Sequence, residues 1–380
     1  MKPESDTISK ILENYNLCEY CTGRIVSKFV RKPTSKLLGK KYIKKFGKLS
    51  DNKCYICKNI FDDIDFMLSN IYEKLYNLDF KTFNLGLILK NSFLERDDLI
   101  KSKFKIKGIE NIKFALSREM SKKISRRTKS KRIMNDPELF IQANFKDESS
   151  TIRTKPIFVY GRYNKNIRKL PQKHMSCKSC HGIGCHNCNF KGLENIESIE
   201  GKISNLLTKK FEGNQVKINW IGGEDQSSLV LGNGRPFFAK ILNPKKRNRI
   251  LRKSSNLEGI SLSELKKILV QPKGSIPFKS KVSIIVDTEK PILLTYLKKL
   301  DILENAKIHD PSKDKKSLNK QIYQIRYKTL GKTSFRLDLF ADGGIHIKSF
   351  IQSSDVTPNV SGLLQNRCNC RKIDFKNIIV

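Results

Sequence analysis

The sequence predicts an α+β (mixed α/β) chain with two main domains, the first rich in metal-type cysteine motifs and the second built on a central antiparallel or mixed sheet. Three observations lead there. The chain has 380 residues, more than one small core needs at roughly 100–200 residues per domain. Helix-type and strand-type periodicities interleave in its first half, whereas strand-type segments dominate the second. Eight of its ten cysteines fall into four CxxC pairs, all in the first half.

Residues 7–15 carry a short amphipathic pattern. Residues 61–78 put Ile64, Met67, Leu68, Ile71, Leu75 and Leu78 on one helical face. A strand is expected at 82–90, a second where residues 103–107 alternate, and a helix at 109–125. Asn135-Asp136-Pro137 signals a turn, followed by strands at 139–145 and 156–160. The second half should open with a helix at 195–211. Strands at 215–221, 228–231 and 236–242 follow, then a short helix at 261–270. Strands at 281–286, 321–328, 334–341 and 344–351 complete the sheet, and the polar segment 309–320 reads as an exposed loop. The expected division is 1–60, a zinc-ribbon-like segment; 61–192, an α/β region ending in a cysteine knuckle; and 193–380, the sheet domain.

Charge narrows the partner. Lys and Arg number 75 against 37 Asp and Glu, a net charge of +38. Such a field selects a polyanion, and nucleic acid is the usual one. No run approaches the ~18 apolar residues of a membrane span, and the first residues lack the apolar core of a signal peptide. The expected setting is cytoplasmic and reducing, with no membrane partner. In that setting CxxC pairs read as zinc thiolates rather than disulfides. Cys177, Cys180, Cys185 and Cys188 form a compact knuckle, and Cys18, Cys21, Cys54 and Cys57 a second set with a longer gap. One or two structural zinc sites follow. Neither set has a neighbouring general base of the kind a catalytic zinc uses. Cys368 and Cys370 are expected to serve packing.

Cations cluster in three stretches. Ser121–Arg132 includes Arg126 and Arg127 and suits phosphate contacts. Arg162, Tyr163, Lys165, Arg168 and Lys169 mix one aromatic with cations, which suits stacking and phosphate contacts on a loop. The stretch following the acidic turn holds Arg247, Arg249 and Arg252. That acidic turn, IGGEDQSSLVLGNGRPF, places two glycines before Glu224 and Asp225, which allows a backbone that aims a carboxylate into a cleft.

The segments LCEYCTGR, CYIC, IFVYGRYNKNIRKLPQ, CKSCHGIGCHNC, GGED with LGNGRPF, ADGGIHIKSFI, TPNVSGLL and CNCRKIDFKNIIV occur in one order. Together they resemble the archaeal and eukaryotic tRNA pseudouridine synthases that carry a THUMP-type RNA-binding region and modify the TΨC arm. The resemblance covers most of the chain. It implies a THUMP-like region over about 60–170, a synthase domain after it, tRNA as partner, and isomerisation of uridine at position 54, 55 or both. It also implies catalysis without a cofactor, with Asp225 as nucleophile and Lys348 as its cationic partner. Placed on one alternating strand, His346 and Lys348 would share a face. The substrate-binding set is His346, Val282, Arg235, Arg162, Tyr163, Arg168, Arg126 and Arg127. The sequence departs from the family pattern at Gly223, where an Arg is usual, and at Ser227 and Leu229, which stand for an acid and an Arg. Val282 and His346 each stand for a Tyr. A zinc-containing tRNA-binding protein or chaperone with an inactive pocket is the alternative these departures leave open.

Overall fold

A computed structural model describes residues 3–30, 36–47, 53–181, 183, 185–188, 193–195, 197–309, 319–352 and 355–380; for 3–5, 188 and 193–195 it describes the backbone only. The chain forms two compact units, residues 1–155 with 243–248, and residues 156–242 with 249–380. None of its described helices is long and apolar enough to cross a membrane.

The first unit contains helices α1 (Pro3–Asn14), α2 (Glu19–Val30), α3 (Lys36–Phe46), α4 (Ile64–Leu75), α5 (Asn91–Lys103) and α6 (Ile112–Thr128). Its strands are β1 (Thr82–Ile88), β2 (Lys131–Arg132), β3 (Leu139–Asn144) and β4 (Ser149–Thr154), in the order β2-β1-β3-β4. Strands β2 and β3 run parallel to β1, and β4 is antiparallel to β3. Helix α4 buries Ile64, Met67, Leu68, Ile71 and Leu75, the stripe its spacing dictates. The Asn111 side chain accepts from the Lys113 amide and starts α6. Residues 1–60 do not stand apart: Ile8, Leu17, Ile25 and Ile56 join one core with Leu68, Phe83 and Ile141. Within it Arg24 and Asp97 form a buried ion pair at 2.5 Å.

The second unit is built on strands β5 (Ile157–Lys165), β6 (Met175–Ser176), β7 (Leu193–Asn195), β8 (Gln215–Trp220), β9 (Leu229–Leu242), β10 (Ser255–Leu257), β11 (Ile260–Ile268), β12 (Lys279–Thr288), β13 (Lys307–His309), β14 (Asn319–Gly331), β15 (Ser334–Asp342) and β16 (Cys368–Ile379). Helices α7 (Ile199–Phe211), α8 (Leu294–Leu297), α9 (Ile347–Gln352) and α10 (Val360–Leu364) accompany them. Among the described residues ten strands make one sheet, in the order β10-β11-β5-β9-β16-β12-β15-β14-β13 with β8 on β9. All its pairings are antiparallel except β9 with β16, which join in parallel through Leu229–Asp374 and Val230–Phe375. One apolar core lies under β5, β9 and α7 and another under β12, β14, β15 and α9.

The α+β class holds, but several elements differ from the sequence reading. Residues 103–107 are no strand. They close α5 through a left-handed Lys105 (φ 50°), with the Ile106 amide bonded back to the Lys101 carbonyl. The helix expected at 261–270 is strand β11. A bulge with Glu264 at φ 51° shifts its alternation by one residue, so Leu262 and Leu265 take a helix-like spacing. The strand expected at 344–351 is helix α9, entered through Gly344 at φ 92°. Phe350 and Ile351 are its buried residues, so His346 and Lys348 do not share a strand face. The strands expected at 228–231 and 236–242 are one, β9. The boundary near residue 192 falls outside the described residues. The change of unit lies at 155/156, because β5 pairs with β9 and β11 in the large sheet. Most of the expected 309–320 loop also lies outside the described residues.

Candidate functional site

The acidic turn lies between β8 and β9. Gly222 sits at φ 75°, and a Cβ there would come within 2.4 Å of the Phe278 ring and 2.7 Å of an Arg235 nitrogen, so the turn requires glycine. The next residues send two carboxylates in different directions. Glu224 turns inward. Its side chain is fully buried, 3.2 Å from Arg235 Nε and 3.5 Å from Lys165 Nζ. Asp225 turns to the cleft. Its Oδ1 accepts from the Ser227 amide (2.9 Å) and hydroxyl (2.6 Å), and its Oδ2 accepts from Lys348 Nζ at 2.6 Å.

Burial works against the Asp225 charge, but the hydrogen bonds from Lys348 and Ser227 outweigh it and hold the carboxyl at about 2, below its ordinary 3.8. Lys348 reaches it from the first turn of α9, whose entry is secured by His346: Nδ1 lies 2.5 Å from Ser349 Oγ, and the His346 carbonyl accepts from Phe350 N. The pair opens onto a cleft of about 380 Å³, also lined by Arg235, Ser228, Phe278 and His346. Val282, Leu339, Ile373 and Phe375 supply its apolar wall.

The cation cluster at 162–169 corrects the sequence reading. Its first three members are on no RNA-facing loop, because Arg162, Tyr163 and Lys165 belong to β5 and are buried, whereas Arg168 is half-buried and Lys169 exposed beyond the strand. Tyr163 is fully enclosed, edge-on to Trp220, with its hydroxyl accepting from Gln172, so it offers no free face for stacking. Arg162 donates to the carbonyls of Asn233 and Ile378. These groups instead brace the acidic turn. Lys165 Nζ donates to the carbonyls of Leu170, Asp225 and Gln226 at 3.0, 3.3 and 3.1 Å. Arg168 donates to the Ser227 carbonyl and pairs with Asp374, and Gln172 donates to the Gly222 carbonyl. Burial pulls the Lys165 pKa down against the attraction of Glu224.

Sequence reasoning named Glu224 only beside Asp225 and missed the inward role of Glu224 and of Lys165. The signal was present: Ile157, Val159, Gly161, Tyr163 and Lys165 alternate, which puts the lysine on the core face. Arg235, expected to bind substrate, is also ion-paired and lies over the Phe375 ring at 4.6 Å. In the other unit Arg126 and Arg127 are exposed on the last turn of α6, and the Arg127 guanidinium covers the Tyr72 ring at 4.1 Å. Cys368 is buried and Cys370 half-buried in β16.

The cysteines gather as their spacing requires. The sulfurs of Cys18, Cys21, Cys54 and Cys57 lie within 4.8 Å of one another, with Cys18 and Cys57 3.5 Å apart. Tetrahedral zinc with bonds of about 2.3 Å sets sulfurs roughly 3.8 Å apart, so four thiolates fit that ion with no ligand position left open. Cys177, Cys180 and Cys185 form a second such group; the side chain of Cys188 lies outside the described residues.

Two family models match, one described as "Pus10, C-terminal" over residues 158–378 and one as "Pus10 THUMP domain, archaeal" over residues 68–144. Among curated relatives, a protein of Nitrosopumilus maritimus named tRNA pseudouridine synthase Pus10 is 41% identical over 98% of this chain and 97% of its own. One of the same name from Cenarchaeum symbiosum is 30% identical over 96% of this chain and 90% of its own. A third, from Methanothermobacter marburgensis, is 27% identical over 98% and 97%.

Proposed function

The chain belongs to the Pus10 family of tRNA pseudouridine synthases, which are isomerases, and on that premise we propose that it converts uridine to pseudouridine in the TΨC arm of tRNA, at position 54, 55 or both, with Asp225 as nucleophile. The observation that carries the reading is the 2.6 Å contact between Lys348 Nζ and Asp225 Oδ2 at the mouth of a cleft of nucleotide size.

The target nucleotide leaves its stack and enters the cleft. The ionised Asp225 attacks C1′ of the ribose, and the N1–C1′ bond breaks with its electron pair leaving on uracil. The ring turns, C5 attacks C1′ and displaces the carboxylate. C5 then loses its proton and N1 gains one, so substrate and product have the same atoms. Lys348 keeps the carboxylate ionised in a partly dry site. Neither redox partner nor metal enters this sequence. Arg126 and Arg127 would neutralise phosphates, fixing orientation rather than base identity. The deciding experiment incubates the purified protein with unmodified tRNA and maps pseudouridine by chemical labelling and primer extension. Absence of new stops with a folded sample that binds tRNA sinks the proposal.

The lowered Asp225 pKa has a testable sign. The ion pair's contribution to stability is complete above the ordinary carboxylate value of 3.8 and is lost as pH falls toward 2. Turnover should therefore show no acid limb near pH 4–5 from this group. Tritium release from 5-tritiated uridine in tRNA measures it, and a limb at an ordinary carboxylate pKa would contradict the ion pair.

We assign structural zinc to Cys18, Cys21, Cys54 and Cys57, and to the knuckle that includes Cys177, Cys180 and Cys185. Bound zinc would contribute folding free energy and no chemistry. Metal analysis of Cys54→Ser should read about one zinc fewer per chain than the parent, with a lower melting temperature for the first unit. An unchanged metal content removes the assignment.

A further inference from the structure

Resting on the zinc assignment above, we infer that Arg24 is the cation that completes the four-cysteine site: its Nε donates to the metal-bound sulfur of Cys21, and Asp97 holds the guanidinium in place for that bond.

Arg24 has no exposed surface, and a buried guanidinium needs partners for all its nitrogens. Asp97, also buried, accepts from Nη2 at 2.5 Å and from Nη1 at 3.2 Å. The Glu110 carbonyl accepts from Nη1 at 2.5 Å. Nε has no hydrogen-bond partner among the described residues. Cys21 precedes Arg24 by three positions in α2, so the two side chains share a helical face. Burial works against the Arg24 charge, but the attraction of Cys21 and then of Asp97 outweighs it and raises the pKa. The sulfur is therefore close enough to the guanidinium to take the unused donor, and as a thiolate it is a charged acceptor.

The charges require such a partner. Four thiolates around a zinc ion carry two net negative charges. Cys21, Cys54 and Cys57 lie in an apolar core, where an uncompensated charge is costly. Asp97 does not cancel the guanidinium, because Lys101 Nζ lies 2.7 Å from the same carboxylate. Arg24, Asp97 and Lys101 together keep one positive charge, with the guanidinium beside Cys21. Helix α5 supplies more than the carboxylate. Its Arg96 donates to the Ile56 carbonyl, inside the Cys54–Cys57 turn, at 3.2 Å. Asp97 also accepts from the Ile112 amide at the start of α6, at 3.3 Å. The metal site is thereby tied through one buried cation to the helices of the α/β region, and an outer partner of this kind sets how firmly a metal is held.

Two measurements on the full chain test this role, and neither reads pseudouridine formation. Parent protein loaded with cadmium and isotope-labelled at arginine should show one Nε–H resonance protected from exchange and coupled to the metal through the sulfur. A chelator competition then reads zinc affinity, with the signal of this site assigned by its loss in Cys54→Ser and the Cys177 knuckle as internal control. Arg24→Met combined with Asp97→Leu leaves neither member of the pair buried alone. It should hold zinc at this site about 10–100-fold more weakly, the usual loss for an outer partner. Asp97→Asn weakens the ion pair but keeps the guanidinium. It should lower the melting temperature with zinc affinity near the parent's. A missing cadmium-coupled resonance, or parental zinc affinity in the double variant, overturns the role of Arg24 and leaves the zinc assignment intact. Equal losses of affinity in the double variant and Asp97→Asn also overturn it, as an effect of packing. If the double variant does not fold, the cadmium spectrum of the parent decides. A parent that carries no zinc at the four cysteines removes the assignment and this role with it.

Discussion

Asp225→Asn should reduce pseudouridine formation by at least about 10⁴-fold, the scale seen when a nucleophile is removed, and leave tRNA binding in place. The substitution is nearly isosteric, and the amide oxygen can still accept from the Ser227 amide and hydroxyl. What disappears is the negative charge opposite Lys348, 2.6 Å away. The cleft then carries one more net positive charge, which favours a phosphate backbone rather than repelling it. Chemistry and binding should therefore separate. Filter binding and primer extension on the same samples read the two. Turnover that survives the substitution removes Asp225 as nucleophile, and an unchanged melting curve shows that a loss is chemical rather than structural.

Lys165→Met should lower the melting temperature of the sheet unit by roughly 6–20 °C. Removing one partner of a buried ion network costs about 3–5 kcal/mol, because the charge left behind stays desolvated. For a unit of this size each kcal/mol moves the midpoint by about 2–4 °C. Here the loss would leave Glu224 with Arg235 alone and free the carbonyls of Leu170, Asp225 and Gln226. Turnover should fall as well, because two of those carbonyls belong to the turn that aims Asp225. Thermal melts followed by circular dichroism measure the effect; a shift below about 2 °C is inconsistent with the buried network.

The fold and the site were legible to different depths. Helical periodicity placed α4, because one face is dry and the other wet, and an apolar run behind the Asn135-Asp136-Pro137 turn placed β3. Motifs in family order pointed to Asp225 and Lys348, and the structure brings the two together. The element that presents Lys348 was misread because IHIK alternates over four residues, whereas the spacing that matters is Ile347, Phe350 and Ile351. Strand β11 was misread for the converse reason, a bulge that imitates helical spacing. The buried cations were hardest. Arg162, Lys165 and Arg235 look like surface charge in a chain with a net charge of +38, and the partners that make burial tolerable are backbone carbonyls and one acid far along the chain. No local pattern announces such partners.

The parallel joint between β9 and β16 has a kinetic consequence. Strand β16 lies between β9 and β12, although it follows every other strand of the sheet in sequence. Without it the sheet separates into one half that holds Asp225 and another that leads into α9 and Lys348. Within the halves β8 joins β9, β10 joins β11, and β13, β14 and β15 join in turn as near neighbours, and β5 reaches β9 and β11 across shorter separations than β9 reaches β16. The joint must wait for a pairing of very long sequence separation, the kind that forms slowly. Refolding should therefore pass through a species with both half-sheets formed and the Asp225–Lys348 contact absent. Competence for chemistry would arrive as the last event of folding, when one central strand closes the seam.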